Sequence, residues 1–334
     1  MSARRSGELR DPLRGTGAPR PSSARPEPGT VAILPNAAPH LVAAVEAAGG
    51  EVAPIGPGTS ALIWVHPSDP DGLAAVLEAH PDIAWVQLPW AGVDAFAAVL
   101  AAHADRPVPV WTSAKGAYSE PVAEHALTLA LACLRELPEK ARRTSWTARS
   151  GETLFGRRVL IVGAGGIAQE IIRLLAPFET SITIVRRSPG EVPGADRVVT
   201  ADRLDEVLPE AEIVILAAAA TGETARLIDE RRLALMDERA ILVNIARGSL
   251  VDTVALAEAL RRGHLAGAGI DVTDPEPLPD GHPLWTAPRA VITCHSADTE
   301  EMVAPLLASR VESNTKALLG DGGFIGIVDP AAGY

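Results

Sequence analysis

A chain of 334 residues, 47% of them hydrophobic, has enough apolar material for two cores, and with 4% aromatics those cores must be mainly aliphatic. Forty-two acidic against 30 basic residues give a net charge of −12, which argues against a general nucleic-acid binder needing a concentrated basic face. Cys133 and Cys294 are too few for a disulfide framework or a thiolate metal site, so no metal is expected and a cytoplasmic location fits.

The first 29 residues are rich in Arg, Pro, Ser and Gly with little to bury, and are read as a disordered N-terminal extension. They lack the apolar stretch of a secretory signal, and no run elsewhere reaches membrane-spanning length. From Val31 short aliphatic strands alternate with amphipathic helices: VAIL, the helix LVAAVEAAG, EVAPI, ALIWV, the helix DGLAAVLEAH and IAWVQL. This rhythm predicts an α/β fold with a parallel sheet covered on both faces. The unit continues through DAFAAVLAAH and VPVW, and a long helical segment follows over residues 119–142, in SEPVAEHALTLALACLRELPEKARR.

A second α/β unit opens with RVLIVGAGGIAQEIIRLL and proceeds through the strands SITIV, EIVILAAA, AILVNI, AGAGIDV and AVITC. The closing helix EEMVAPLLASRVESNTKALL is expected to return to the first unit. The expectation is two Rossmann-like or flavodoxin-like domains with a cleft between them. Residues 30–125 and 300–334 form a discontinuous substrate domain, and 126–299 an inserted cofactor domain.

After the strand VLIV the run Gly163, Ala164, Gly165, Gly166, Ile167, Ala168 reads as a dinucleotide fingerprint of GxGxxA form. Gly163 makes the tight turn, Gly165 lets backbone approach the pyrophosphate, and the following helix amides face its charge. At the end of SITIV, where an NAD site usually has an acidic residue for the ribose diol, stand Arg186, Arg187 and Ser188. Two arginines and a hydroxyl suit a 2′-phosphate, so NADP(H) is favoured and NAD(H) remains possible. The bland alternative is two solvated loop charges.

Arg247 in NIARGSLVD, Glu276 in DVTDPEPL and His295 in ITCHSAD follow one another at the ends of strand-like runs. Arg247 offers a forked, permanently charged donor that matches a carboxylate. His295 can give a proton to a carbonyl oxygen as hydride arrives, and Glu276 can hold the imidazole and favour its charged form. The rival readings are an interdomain charge, a solvated loop residue and a hydrogen-bonded core histidine. The other seven histidines are taken as structural, His125 as a helix-surface or interdomain residue.

Together VGAGGIA, NIARGSLVD, DVTDPEPL, the His295 segment and the VAEHAL helix make the chain, from Val31 to Tyr334, resemble the D-isomer-specific 2-hydroxyacid dehydrogenases. The ending GIVDPAAGY and the paired arginines look most like the glyoxylate and hydroxypyruvate reductase branch. The resemblance implies that Arg247 binds the substrate carboxylate and that His295, partnered by Glu276, is the acid in reduction and the base in oxidation. It also implies that Asp271 lies near the nicotinamide carboxamide, that Ala219, Ile245 and Ala246 line the ring and its ribose, and that amides of Ala91, Gly92 and Val93 meet the substrate carboxylate. Cys294 and Ala219 stand where the family commonly has proline, a change in loop rigidity that removes no reacting group. The expected activity is reduction of a small 2-oxo acid such as glyoxylate or hydroxypyruvate, by a homodimer. The alternatives are a phosphoglycerate dehydrogenase-like enzyme or a non-catalytic dinucleotide sensor of the same fold.

Overall fold

The computed structural model describes residues 7–14 and 25–333. The chain divides into two compact units, one formed by the residues up to Tyr118 together with Thr299 onward, the other by Ser119–Asp298. The sequence reading carried the first unit to residue 125; here the helix that begins at Ser119 lies wholly in the second.

The first unit carries a parallel sheet of β1 (Thr30–Leu34), β2 (Thr59–Trp64), β3 (Trp85–Gln87) and β4 (Val110–Thr112), in that order. The segment EVAPI, read as a strand, contributes one parallel bridge, Val52 to Val31, on the free side of β1. Pro54 explains the brevity, because it has no amide proton with which to extend the ladder. Helices α1 (Pro39–Ala47), α2 (Pro70–Ala79) and α3 (Ala97–Ala101) make the crossovers. They enclose a core that includes Leu62, Trp64, Val86, Phe96 and Trp111.

Part of the segment expected to be disordered is anchored. Asp11 accepts two hydrogen bonds from the guanidinium of Arg310, at 2.8 Å from Nε and 2.9 Å from Nη2, and both side chains are fully buried. The same guanidinium donates to the carbonyls of Ser113 and Lys115. Arg25 donates to the carbonyls of Gly320 and Gly322. Composition gave no hint of this because a single buried, fully bonded charge suffices to hold an otherwise polar segment. Residues 1–6 and 15–24 of that extension lie outside the described residues.

The second unit begins with α4 (Ser119–Leu134) and α5 (Leu137–Ala141). The single helix expected over residues 119–142 is broken at Glu136, whose φ of 50° is left-handed, and restarts with Pro138 in its first turn. A seven-stranded parallel sheet follows. Its strands are β5 (Arg158–Val162), β6 (Ser181–Arg186), β7 (Arg197–Thr200), β8 (Ile213–Leu216), β9 (Ile241–Asn244), β10 (Gly267–Ile270) and β11 (Ala290–Ile292), in the order β11-β10-β9-β8-β5-β6-β7. β5, β8, β9 and β10 are buried along most or all of their length, as expected of strands covered on both faces. The main crossover helices are α6 (Gly166–Leu175), α7 (Leu204–Val207), α8 (Glu230–Leu235) and α9 (Thr253–Arg261). The strand order reverses between β5 and β8, and in such sheets ligands bind outside the carboxyl ends of the strands at that switch point.

The amino ends of the same two strands are clasped by charge. Arg157 donates to Glu212 at 2.7 Å, and the amide of Arg158 donates to the other oxygen of that carboxylate at 3.1 Å. α10 (Glu300–Leu318) then returns to the first unit, where Arg310 and Asn314 are buried. Among the described residues no helix is long and apolar enough to cross a membrane.

Candidate active site

Nearly all the second-unit residues singled out in the sequence lie at or just beyond the carboxyl ends of strands. Gly163 follows β5 with a φ of +117°, and a Cβ there would lie 2.4 Å from the Ala217 carbonyl oxygen in the loop after β8. Only glycine fits that close approach. Gly165 precedes α6, and the space where its Cβ would stand is open. An open turn at the amino end of a ten-residue helix that has no side-chain cap fits a dinucleotide pyrophosphate. Arg186 closes β6, while Arg187 and Ser188 are exposed in the bend beyond it. Ala219 is exposed after β8, where its carbonyl accepts from the Thr224 hydroxyl at 2.8 Å.

The turn after β9 is built on a buried amide the sequence reading passed over. Asn244 donates from Nδ2 to the Arg247 carbonyl at 2.9 Å and accepts from the Ala246 amide at 3.1 Å, so that one side chain fixes the path of Ile245, Ala246 and Arg247. A polar residue at the end of a buried strand was the available signal. Gly248 comes next, and a Cβ on it would lie 1.8 Å from the carbonyl oxygen of Thr273. The backbone beside Arg247 is thus pressed against the loop that carries Glu276.

Glu276 and His295 are brought together. The His295 Nδ1 and Glu276 Oε1 atoms are 2.6 Å apart, while the amide of Thr273 donates to Glu276 Oε2 at 3.2 Å. Both side chains are partly open to solvent. They border a recess of about 220 Å³ that Asp271, Trp285 and Cys294 also line. With Nδ1 committed to Glu276, Nε2 is the nitrogen that can serve a carbonyl oxygen. His295 has a φ of 47°, a left-handed conformation that costs on the order of 1 kcal/mol and must be enforced by its surroundings.

Asp271 supplies that enforcement. Its carbonyl accepts from the His295 amide at 2.7 Å, and its carboxylate accepts from the amides of Ser296 and Ala297 and the hydroxyl of Thr293. Burial works to raise the Asp271 pKa, but the hydrogen bonds from His125, Thr293, Ser296 and Ala297 together hold it below the ordinary carboxylate range. His125, read from sequence as a helix-surface or interdomain residue, instead bonds Thr293 Oγ1 through Nε2 at 2.9 Å, within the second unit. Asp298, also passed over, behaves oppositely. Burial, helped by the charge of Asp271, pushes its carboxyl up against the opposing pull of His295 and Arg247.

In the first unit the loop that holds Ala91, Gly92 and Val93 follows β3. It is pinned by the Ala114 amide on the Trp90 carbonyl at 3.1 Å and by the Tyr118 hydroxyl on the Pro89 carbonyl at 2.9 Å. Trp90 meets Tyr118 edge-on. Trp111 is a core residue.

Residues 127–297, about half the chain, match the NAD-binding domain of the D-isomer-specific 2-hydroxyacid dehydrogenases. The chain belongs to that family. It is 35% identical over 230 residues to an uncharacterized protein in the proB 3′ region of Corynebacterium melassecola, covering 67% of this chain and 76% of that one. It is 36% identical over 205 residues to a glyoxylate reductase of Pyrococcus furiosus, covering 57% of this chain and 61% of the relative. The chain therefore spans less than two thirds of that reductase. A solved D-isomer-specific 2-hydroxyacid dehydrogenase from Xanthobacter autotrophicus Py2, in complex with NADPH and MES, superposes with a TM-score of 0.77 at 27% identity, covering 92% of this chain and all of the other. The α/β architecture with two parallel sheets is the fold of these neighbours.

Proposed function

We propose that this protein reduces small 2-oxo acids, with glyoxylate and hydroxypyruvate as the first candidates, to D-2-hydroxy acids and prefers NADPH to NADH. The observation that most supports the reading is the 2.6 Å contact between Glu276 and His295, because it orients a proton donor and selects its outer nitrogen. When bound, the reduced nicotinamide supplies hydride to the carbonyl carbon. His295 delivers a proton to the carbonyl oxygen through Nε2, so that C=O becomes CH–OH, and in the reverse direction it takes that proton back. Glu276 keeps the imidazole in place. Arg247 pairs with the substrate carboxylate, and the amides of Ala91, Gly92 and Val93 are further candidates for the same group.

In the same reading the turn of Gly163, Gly165, Gly166 and Ile167 receives the pyrophosphate. Arg186, Arg187 and Ser188 receive the 2′-phosphate, and Ala219, Ile245, Ala246 and Asp271 lie toward the nicotinamide. The NADPH of the Xanthobacter neighbour favours this assignment, and the Pyrococcus glyoxylate reductase favours the choice of substrate. The test is a spectrophotometric assay of the purified chain with NADPH or NADH and, in turn, glyoxylate, hydroxypyruvate and 3-phosphohydroxypyruvate. The expected result is turnover of the first two with a higher kcat/KM for NADPH. A higher kcat/KM for the phosphorylated acid would make this a phosphoglycerate dehydrogenase, and tight NADPH binding without turnover of any of the three would make it a sensor.

A further inference from the structure

We propose that His125 is a positioning residue for the proton donor, holding His295 in its working conformation through a hydrogen-bonded series that runs from α4 through Thr293 to Asp271. The inference rests on the reading of His295 as the acid.

The direction of each bond follows from counting protons. Thr293 Oγ1 lies 2.6 Å from Asp271 Oδ1, and an ionised carboxylate can only accept, so the single hydroxyl proton of Thr293 is spent there. The oxygen of Thr293 must then accept from its other neighbour, His125 Nε2 at 2.9 Å. That fixes the proton on Nε2 of His125, whatever the state of Nδ1. The same nitrogen lies 3.3 Å from Asp271 Oδ1, so its N–H faces the carboxylate as well as the hydroxyl.

The far end of the series is the loop of the acid. Asp271 Oδ1 also accepts from the Ser296 amide at 2.9 Å, Oδ2 accepts from the Ala297 amide at 3.1 Å, and the Asp271 carbonyl takes the His295 amide. Residues on both sides of His295 are therefore tied to one aspartate, and His295 between them has the left-handed φ of 47°. His125 and Thr293 determine which way that aspartate faces. A carboxylate deprived of the Thr293–His125 side would be free to rotate away from Ser296 and Ala297, and the backbone at His295 would relax toward an ordinary conformation. Sub-ångström placement of a reacting group is what such outer contacts secure, and their loss typically costs about 10–100-fold.

The experiment compares His125→Leu, His125→Gln, Thr293→Val, the His125→Leu/Thr293→Val double variant and His295→Gln with the wild-type full chain. Turnover is read with NADPH and glyoxylate or hydroxypyruvate, NADPH affinity by fluorescence, and hydrogen exchange in a peptide spanning residues 293–298. His125→Leu should lower kcat roughly 10–100-fold with little change in NADPH affinity, and should speed exchange in that peptide. His125→Gln, which can present an N–H near the same place, should recover most of kcat. The double variant should lose less than the product of the two single effects, because both groups hold the same carboxylate. Should His125→Leu not yield folded protein, Thr293→Val removes the hydroxyl bridge between His125 and Asp271. Unaltered exchange with kcat within about twofold of wild type in His125→Leu or Thr293→Val, or a double variant that loses the product of the two single effects, overturns the proposal. If His295→Gln turns over like wild type, the acid assignment itself fails; if it is inactive while His125→Leu is normal, only the positioning role fails.

Discussion

Replacing Gly248 by alanine tests whether Arg247 and the loop of Glu276 are held as one piece. The new Cβ would lie 1.8 Å from the Thr273 carbonyl oxygen, 1.9 Å from its carbon and 2.6 Å from the Asp274 nitrogen, where ordinary contact begins at 3.4 Å. Every obstructing atom is backbone, so no rotamer change relieves the overlap; one strand end must move by roughly 1.5 Å. Overpacking of this kind costs about 1–3 kcal/mol, and with main chain against main chain we expect the upper end, which for a unit of this size lowers Tm by roughly 6–12 °C. Under the proposed mechanism a displacement near 1 Å between Arg247 and His295 should reduce kcat/KM about 100-fold. Thermal unfolding and steady-state kinetics measure the two effects, with Val254→Ala on the exposed face of α9 as the control. Gly248→Ala with Tm within about 2 °C and kcat/KM within about threefold of wild type would refute the reasoning.

Asp11→Ala should destabilise the first unit by about 3–5 kcal/mol by leaving Arg310 buried and unpaired, and Asp11→Leu with Arg310→Met should lose far less; denaturant unfolding distinguishes them. Arg186→Ala with Arg187→Ala should raise KM for NADPH about 10–100-fold and leave that for NADH nearly unchanged, and equal effects on both would remove the 2′-phosphate assignment. Arg247→Lys should raise KM for glyoxylate more than it lowers kcat, since an ammonium cannot reproduce the paired geometry; unchanged kinetics would contradict the role. Because the native Asp271 carboxyl lies below its unfolded value, it adds stability above about pH 4 that is lost as pH falls through the native value. Asp271→Asn should therefore narrow the Tm difference between about pH 6 and pH 3, and an unchanged difference would show that Asp271 does not drive it.

The α/β alternation and most strands could be read from the sequence because buried parallel strands are unbroken aliphatic runs such as VLIV, IVIL and ILVN. β7 was not anticipated: Arg197–Thr200 is a short, half-buried edge whose polar ends give no run. Arg247, Glu276 and His295 were recognisable because each sits in a local string carrying its own strand-end context. The long-range polar contacts were not. His125 is a helical histidine like any other until Thr293, 168 residues later, is placed beside it. Asp11 looks like part of a polar tail until Arg310, 299 residues later, closes over it. Hydrogen bonds between distant segments leave no periodicity, so neither contact can be read from the local sequence.

The second sheet keeps its chemistry and its clasp at opposite poles. The Arg157–Glu212 pair joins β5 and β8 at their amino ends, while the turns of Gly163 and Arg247 lie at the carboxyl ends of the sheet. A strand of this length separates the poles by roughly 15 Å, beyond the range at which substitutions normally couple. On the proposed function, loops at one pole can be exchanged to change which acid is recognised while the fastening at the other goes untouched. Equally, the clasp can be strengthened without disturbing turnover, which makes the β5 and β8 amino ends the place to begin when a more durable catalyst is wanted.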